Sequence, residues 1–149
     1  MSSLLQWAIQ SALPSLGDKS IGFDDMLHCI KSPSKYAIIH TMSASENNLI
    51  YGTLTAAEEE VFINEYLSTY SDKPKTIILY GRNSGDESPL KKRAQLMSLG
   101  ICDVYIYAGG MFEWILLQDI YGKDEFKTTK EITDLLAYRP LAKINKHLV

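Results

Sequence analysis

Apolar positions along this chain fall in short clusters whose spacing alternates between the periods of helix and strand. Ser3-Leu-Leu-Gln6 has the form of a capping box, in which the serine accepts from a free N–H and the glutamine reaches back. It predicts a short helix to Ala12, ended by Pro14. A second helix is predicted from Phe23 to Ile30, with Phe23, Leu27 and Ile30 on one side and Pro33 closing it. Tyr36-Ala-Ile-Ile-His40 is short and partly β-branched, which favours a buried strand. Thr55-Ala-Ala-Glu58 is another capping box. Beyond it Phe62, Tyr66 and Tyr70, with Ile63 and Leu67 beside them, mark an amphipathic helix.

Thr76-Ile-Ile-Leu-Tyr80 is the clearest strand, and it runs into a polar, glycine-containing loop ending at Ser88. Ser88-Pro89 starts the next helix, since serine caps well and proline suits the first helical position. Leu90, Ala94 and Met97 are its predicted inward face, and Gly100 its stop. Val104-Tyr-Ile-Tyr107 is a further strand, Gly109-Gly110 a turn, and Met111 to Ile120 a densely apolar segment. A last capping box, Thr128-x-x-Glu131, predicts a C-terminal helix through Leu136 and a looser tail after Pro140. Strands alternating with helices imply an α/β fold: a central parallel sheet with helices on both faces. The expected organisation is an N-terminal helix and linker (1–20), the main domain (21–122), and a C-terminal helix and tail packing on it (123–149). In such sheets functional loops lie at the carboxyl ends of strands, which directs attention to the loop after Tyr80.

Composition narrows the functional classes. With 149 residues, 46% of them hydrophobic and 22% charged, the chain can bury a core without disulfide staples. A formal net charge of −3 gives no electrostatic case for nucleic acid. The two cysteines, Cys29 and Cys102, form no C-x-x-C pair, and no His–Cys cluster has zinc spacing, so neither metal nor cofactor is expected. No apolar run reaches the roughly 20 residues of a membrane span, and the start of the chain lacks a secretory signal pattern. A cytoplasmic location is expected.

The order of the segments from Ile38 onward resembles the rhodanese superfamily. That family reads strand-ending aromatic, catalytic Cys, loop, helix, Leu-x-x-x-Gly, strand, Gly-Gly-x-x-x-Trp. The corresponding residues here are Tyr80, Gly81, the loop to Ser88, Leu96 to Gly100, Val104 to Tyr107, and Gly109-Gly110-Met-Phe-Glu-Trp114. Upstream, Ile38 to Met42 matches the strand that ends in Asp-x-Arg, and Leu49-Ile-Tyr-Gly-Thr-Leu54 the segment written His-Ile-Pro-Gly-Ala-Ile. The likeness covers Ile21 to Gln118. It implies a rhodanese-like fold, with three departures. Gly81 stands where the nucleophilic Cys belongs, His40 and Met42 replace the Asp and Arg, and the loop is longer than the shortest family version.

Sulfur transfer needs a thiolate that attacks a sulfane sulfur and holds it as a persulfide, stabilised by loop N–H groups and the following helix dipole. Glycine has no atom for this, and Ser84 and Ser88 cannot store sulfur. No catalytic residue is therefore assigned to the degenerate loop of Gly81, Arg82, Asn83, Ser84, Gly85, Asp86, Glu87 and Ser88. Without the Cys, such a loop at a helix N-terminus can still cradle an oxyanion, to which Arg82, Lys91, Lys92 and Arg93 would add charge. Asp86 and Glu87 either point outward or fill the cradle as an internal carboxylate. Cys29 and Cys102 are expected to pack as small hydrophobes. His40 is expected to end a central strand as a structural residue bonded to a loop carbonyl, with an acid–base role as the alternative. The C-terminal helix, through Ile132, Leu135 and Leu136, is expected to cover the apolar segment from Phe112 to Leu117; left uncovered, that segment would be a partner or dimer surface. The leading expectation is a catalytically inactive rhodanese-like module with a binding, regulatory or assembly role. Its partner would be an unknown protein or a small anion, with homo-oligomerisation open. The alternative is a sulfurtransferase or rhodanese-related phosphatase that uses non-standard residues.

Overall fold

The computed structural model describes residues 17–68 and 74–145, so the predicted helix from Ser3 and the Tyr70 position lie outside the described residues. Its elements are β1 (Ser20–Ile21), α1 (Phe23–Ile30), β2 (Tyr36–His40), α2 (Ala56–Ser68), β3 (Thr76–Tyr80), α3 (Ser88–Ser98), β4 (Val104–Tyr107) and α4 (Gly110–Tyr121). The strands form one parallel sheet in the order β1-β4-β3-β2. In β2 and β3 the apolar residues run almost unbroken, because both faces of each strand are covered.

Successive side chains point to opposite faces and divide the core in two. On one face Ile38, Ile78, Tyr80 and Tyr107 meet Met26 and Cys29 of α1 and Met111, Trp114 and Ile115 of α4. On the other, Ala37, Ile39, Ile77, Leu79, Val104 and Ile106 meet Leu96 of α3 and the partly buried Phe62, Ile63 and Tyr66 of α2.

Several expectations need correction. The inward face of α3 is Pro89 and Leu96, while Leu90, Ala94 and Met97 are exposed. The predicted stripe was one residue out of register. The half-buried stems of Lys92 and Arg93 fill the space instead, with Lys92 on Glu59 at 2.9 Å and Arg93 Nε donating to the Val104 carbonyl at 3.1 Å. Leu67 on α2 is also exposed. Cys102 is exposed rather than packed, whereas Cys29 is buried. His40 ends an edge strand, not a central one.

The C-terminal helix does not form: residues 122–145 contain no helix. The backbone of 127–129 instead runs antiparallel beside 49–51. Tyr51 N–H donates to Lys127 O at 3.0 Å and Thr129 N–H to Leu49 O at 2.8 Å. The capping-box residues have other partners. The Thr128 hydroxyl donates to Lys130 O at 2.7 Å, and Glu131 pairs with Lys123. Long-range pairing outweighed a local helix signal of a few tenths of a kcal/mol per residue. The segment nonetheless touches α4 without a helix: the Phe126 and Trp114 rings lie 5.0 Å apart, and Phe112, Leu116 and Leu117 are half-buried. Phe126 and Tyr138 are buried in the core, Ile132 and Leu135 pack against it, and only Leu136 of the predicted set is exposed.

Candidate functional site

The loop between β3 and α3 begins at the carboxyl edge of the sheet, directly after the buried Tyr80. Tyr80 is anchored by its hydroxyl, which accepts from Ile50 N–H at 3.0 Å and bonds Thr53 Oγ1 at 2.7 Å. Burial, partly offset by those two bonds, pushes its pKa well above the usual phenol value.

The loop is wound around the carboxylate of Asp86. Its Oδ2 accepts from the Arg82 N–H and its Oδ1 from the Ser88 N–H, each at 2.9 Å. Asp86, not Ser88, therefore satisfies the first free N–H of α3, and Glu87 at the cap position makes no side-chain bond. Asn83 braces the rest: its carbonyl accepts from Asp86 N–H at 3.2 Å and its Oδ1 from Gly85 N–H at 2.9 Å. Of the two arrangements open to the acidic pair, Asp86 takes the inward one.

Gly81 sits hard against this carboxylate. A Cβ there would lie 2.4 Å from Asp86 Oδ2 and 3.0 Å from both Asp86 Cγ and Pro89 Cγ. Burial works against ionisation of Asp86, but the Arg82 and Ser88 N–H groups, the Ser88 hydroxyl and the Arg82 guanidinium outweigh it. The pKa falls below the ordinary carboxylate value.

Two outer contacts fix the loop from other sides. Met111 and Phe112, at the start of α4, donate to the carbonyls of Gly81 at 2.9 Å and Arg82 at 2.8 Å. This close approach requires Gly110, with φ of +66° and an added Cβ only 2.8 Å from Gly81 O. From the C-terminal segment, Ala137 O accepts from Arg82 at 2.8 Å and Tyr138 O from Asn83 Nδ2 at 2.9 Å. The Arg82 guanidinium lies over the Tyr138 ring, 4.9 Å from its centre. Nothing in the sequence marked residues 137 and 138 as loop partners.

The four cations proposed to serve the loop have separate roles. Arg82 engages the C-terminal segment, Arg93 bonds β4, and Lys91 and Lys92 line a cleft on the other side of α3's start, beside His40. His40 Nδ1 is buried without a hydrogen-bond partner, so it makes no bond to a loop carbonyl. Burial pushes the His40 pKa down, against the pull of Glu59 and Glu46. Cys102 lies before β4, at the opposite end of the sheet from the loop. Cys29 lies on the buried face of α1, and burial, reinforced by Asp25, pushes its thiol up to about 11. Among the described residues no group of three or more His, Cys, Asp or Glu could hold a metal ion. No described helix is long and apolar enough to cross a membrane.

A parallel sheet with this strand–loop–helix at its carboxyl edge, closed over by a Gly-Gly helix start, defines the class of domain. The family model of the rhodanese-like domain matches residues 30–117, and the chain belongs to that family. No curated protein matches it significantly. Among solved structures it is similar to a protein from Bacillus halodurans (20% identity, TM-score 0.50, covering 69% of this chain and 73% of that one). It is also similar to a protein from Lactobacillus plantarum (19% identity, TM-score 0.54, covering 79% and 96%). The full-length Lactobacillus plantarum protein gives 18% identity and a TM-score of 0.54, covering 79% and 95%. These likenesses carry the fold alone.

Proposed function

We propose that this rhodanese-like domain is a non-catalytic module, acting through binding rather than sulfur transfer. One observation carries the reading: the Asp86 carboxylate holds the loop N–H groups of Arg82 and Ser88, immediately beside the site of the missing Cβ at Gly81. A family nucleophile at 81 would need those same donors to stabilise its thiolate. Here an internal anion already engages them. The alternative of catalysis through another cysteine gains no support from geometry, since neither Cys29 nor Cys102 is near the loop.

The test is a thiosulfate:cyanide assay on the wild type, Gly81→Cys and Gly81→Cys/Asp86→Ala. Turnover is expected at background in the wild type, at or near background in the single variant, and measurable in the double variant. Wild-type turnover above background, abolished by Cys29→Ser or Cys102→Ser, would restore the enzyme reading.

A further inference from the structure

A second polar site lies beside the loop. A cleft of about 590 Å³ opens at the carboxyl end of β2, between the starts of α2 and α3. It is lined by His40 and Thr41 from β2 and its exit, Glu59 from α2, and Ser88, Lys91 and Lys92 from α3. That volume lies within the range of small-molecule sites, roughly 300–1,000 Å³. Apart from Ser88, these are not the groups that hold Asp86.

Three features distinguish the cleft from ordinary surface. The first is His40, only 8% exposed, whose Nδ1 has no hydrogen-bond partner. A buried polar atom without a partner is costly, and such groups are normally satisfied by protein, water or ligand. The second is charge. Lys92 is matched by Glu59 at 2.9 Å, whereas Lys91 has no ion-pair partner among the described residues. Two ammonium groups against one carboxylate leave the lining itself with one positive charge in excess, while Glu46, outside the lining, also acts on His40. The third is a polar wall formed by the Thr41 and Ser88 hydroxyls, 2.7 Å apart and tied to the sheet through Thr41 N–H and Tyr80 O at 2.9 Å. The apolar side chains of Met42, Ala44 and Ala56 complete the lining. A convergent set of polar groups within a partly apolar concavity is the usual make-up of a small-molecule site.

We propose that this cleft binds a small organic oxyanion, a phosphate- or carboxylate-bearing molecule whose charge sits at Lys91 and whose polar substituent partners His40. The site shares Ser88 with the closed loop and otherwise uses different groups. A domain that has lost its nucleophile retains ligand recognition a few residues further along the same helix.

The test uses the full chain, isotopically labelled, titrated with inorganic phosphate and separately with acetate at fixed pH and chloride-matched ionic strength. Saturable shifts are expected at the amides of His40, Lys91 and Gln95, which also lines the cleft, with at least one anion, and the tighter one names the class. Lys91→Gln should weaken that midpoint about three- to fivefold, the effect of losing one partly exposed ionic contact. Lys123→Gln, on the separate surface where Lys123 pairs with Glu131, should leave it unchanged. The proposal is overturned by shifts that stay linear to about 50 mM, where non-specific screening dominates. Equal midpoints in the wild type and Lys91→Gln, or saturable movement confined to residues 82–86, would overturn it too.

Discussion

Replacing Asp86 by alanine removes the group around which the 81–88 loop is wound. Two N–H bonds disappear, one from Arg82 and one from Ser88, both 2.9 Å in the wild type. The Ser88 contact is a helix cap, worth about 1 kcal/mol when replaced by alanine. The Arg82 contact is a second charge-assisted bond of similar size on an exposed residue, where water can partly replace the lost oxygen. Together they predict a loss of about 2 kcal/mol, or roughly 4–8 °C in Tm for a chain of this size. Asp86→Asn keeps one acceptor without the charge and should lose about half as much. The pH dependence supplies an independent check. The folded-state pKa of Asp86 lies below its ordinary value, so its contribution is complete above the unfolded value of about 3.9. It is lost as pH falls through the folded value. The wild-type advantage over Asp86→Asn should be full near pH 7 and shrink steadily below about pH 4. Urea unfolding at both extremes measures it. A wild-type minus Asp86→Ala difference under about 0.5 kcal/mol, or a difference from Asp86→Asn that does not change with pH, would refute the internal-carboxylate account.

Two further outcomes follow from the geometry. Gly110→Ala should cost at least twice as much stability as Gly100→Ala in urea unfolding. Both glycines have positive φ, but a Cβ at Gly110 meets Gly81 O at 2.8 Å and Asn83 N at 3.0 Å, whereas at Gly100 nothing lies within 4 Å. The Gly100 change should therefore carry only the backbone term of about 1 kcal/mol, and equal losses would contradict the close packing of α4 on the loop. In native protein near pH 8, iodoacetamide should label exposed Cys102 and spare buried Cys29, whose thiol is pushed up to about 11. Mass spectrometry should find one adduct before denaturation and two after it, and early labelling of Cys29 would contradict its burial.

The sheet was legible because its strands are short apolar runs bounded by turn signals, and Tyr36–His40, Thr76–Tyr80 and Val104–Tyr107 stand where the pattern placed them. The bounds of α1 were legible for a similar reason, with the change of period at Phe23 and Pro33 beyond its end. Side-chain orientation was harder to read. On α3 Leu90 and Met97 point to solvent while Leu96 points inward, because lysine and arginine stems beside Leu96 can cover the sheet as well as leucine does. The segment after Gly122 was misread because its partner, residues 49–51, lies more than 70 positions away, and no local signal encodes that pairing. The site divides in the same way. Gly81 and Asp86 lie in one short loop, so the inward and outward arrangements of the acidic pair are both legible in the sequence. The His40–Lys91 cleft and the grip of residues 137–138 arise only when separate elements meet.

The relation between Gly81 and Asp86 is best seen as one negative charge with two possible owners. In the family pattern a thiolate at the end of the strand faces the loop N–H groups. Here a carboxylate five residues later reaches back to Arg82 N–H, beside the position a Cβ would occupy. The two groups compete for the same space and the same donors, so their effects on stability cannot be additive. Gly81→Cys alone overpacks the site against Asp86 and Pro89, at a cost of about 1–3 kcal/mol. Asp86→Ala alone costs about 2 kcal/mol through the lost bonds. In the double variant alanine makes room for the thiol, which can accept from the freed donors, so the loss should fall at least 1 kcal/mol short of the sum. The thiol should also become acidic, because the donors that now lower the Asp86 pKa would face it instead. Thiolate absorbance against pH should therefore place the pKa of the introduced thiol lower in the double variant than in Gly81→Cys. Additive stabilities together with an unchanged thiol pKa would mean that the carboxylate and the family nucleophile do not share a site, and the case for Asp86 as the occupant of a vacated anion position would fail.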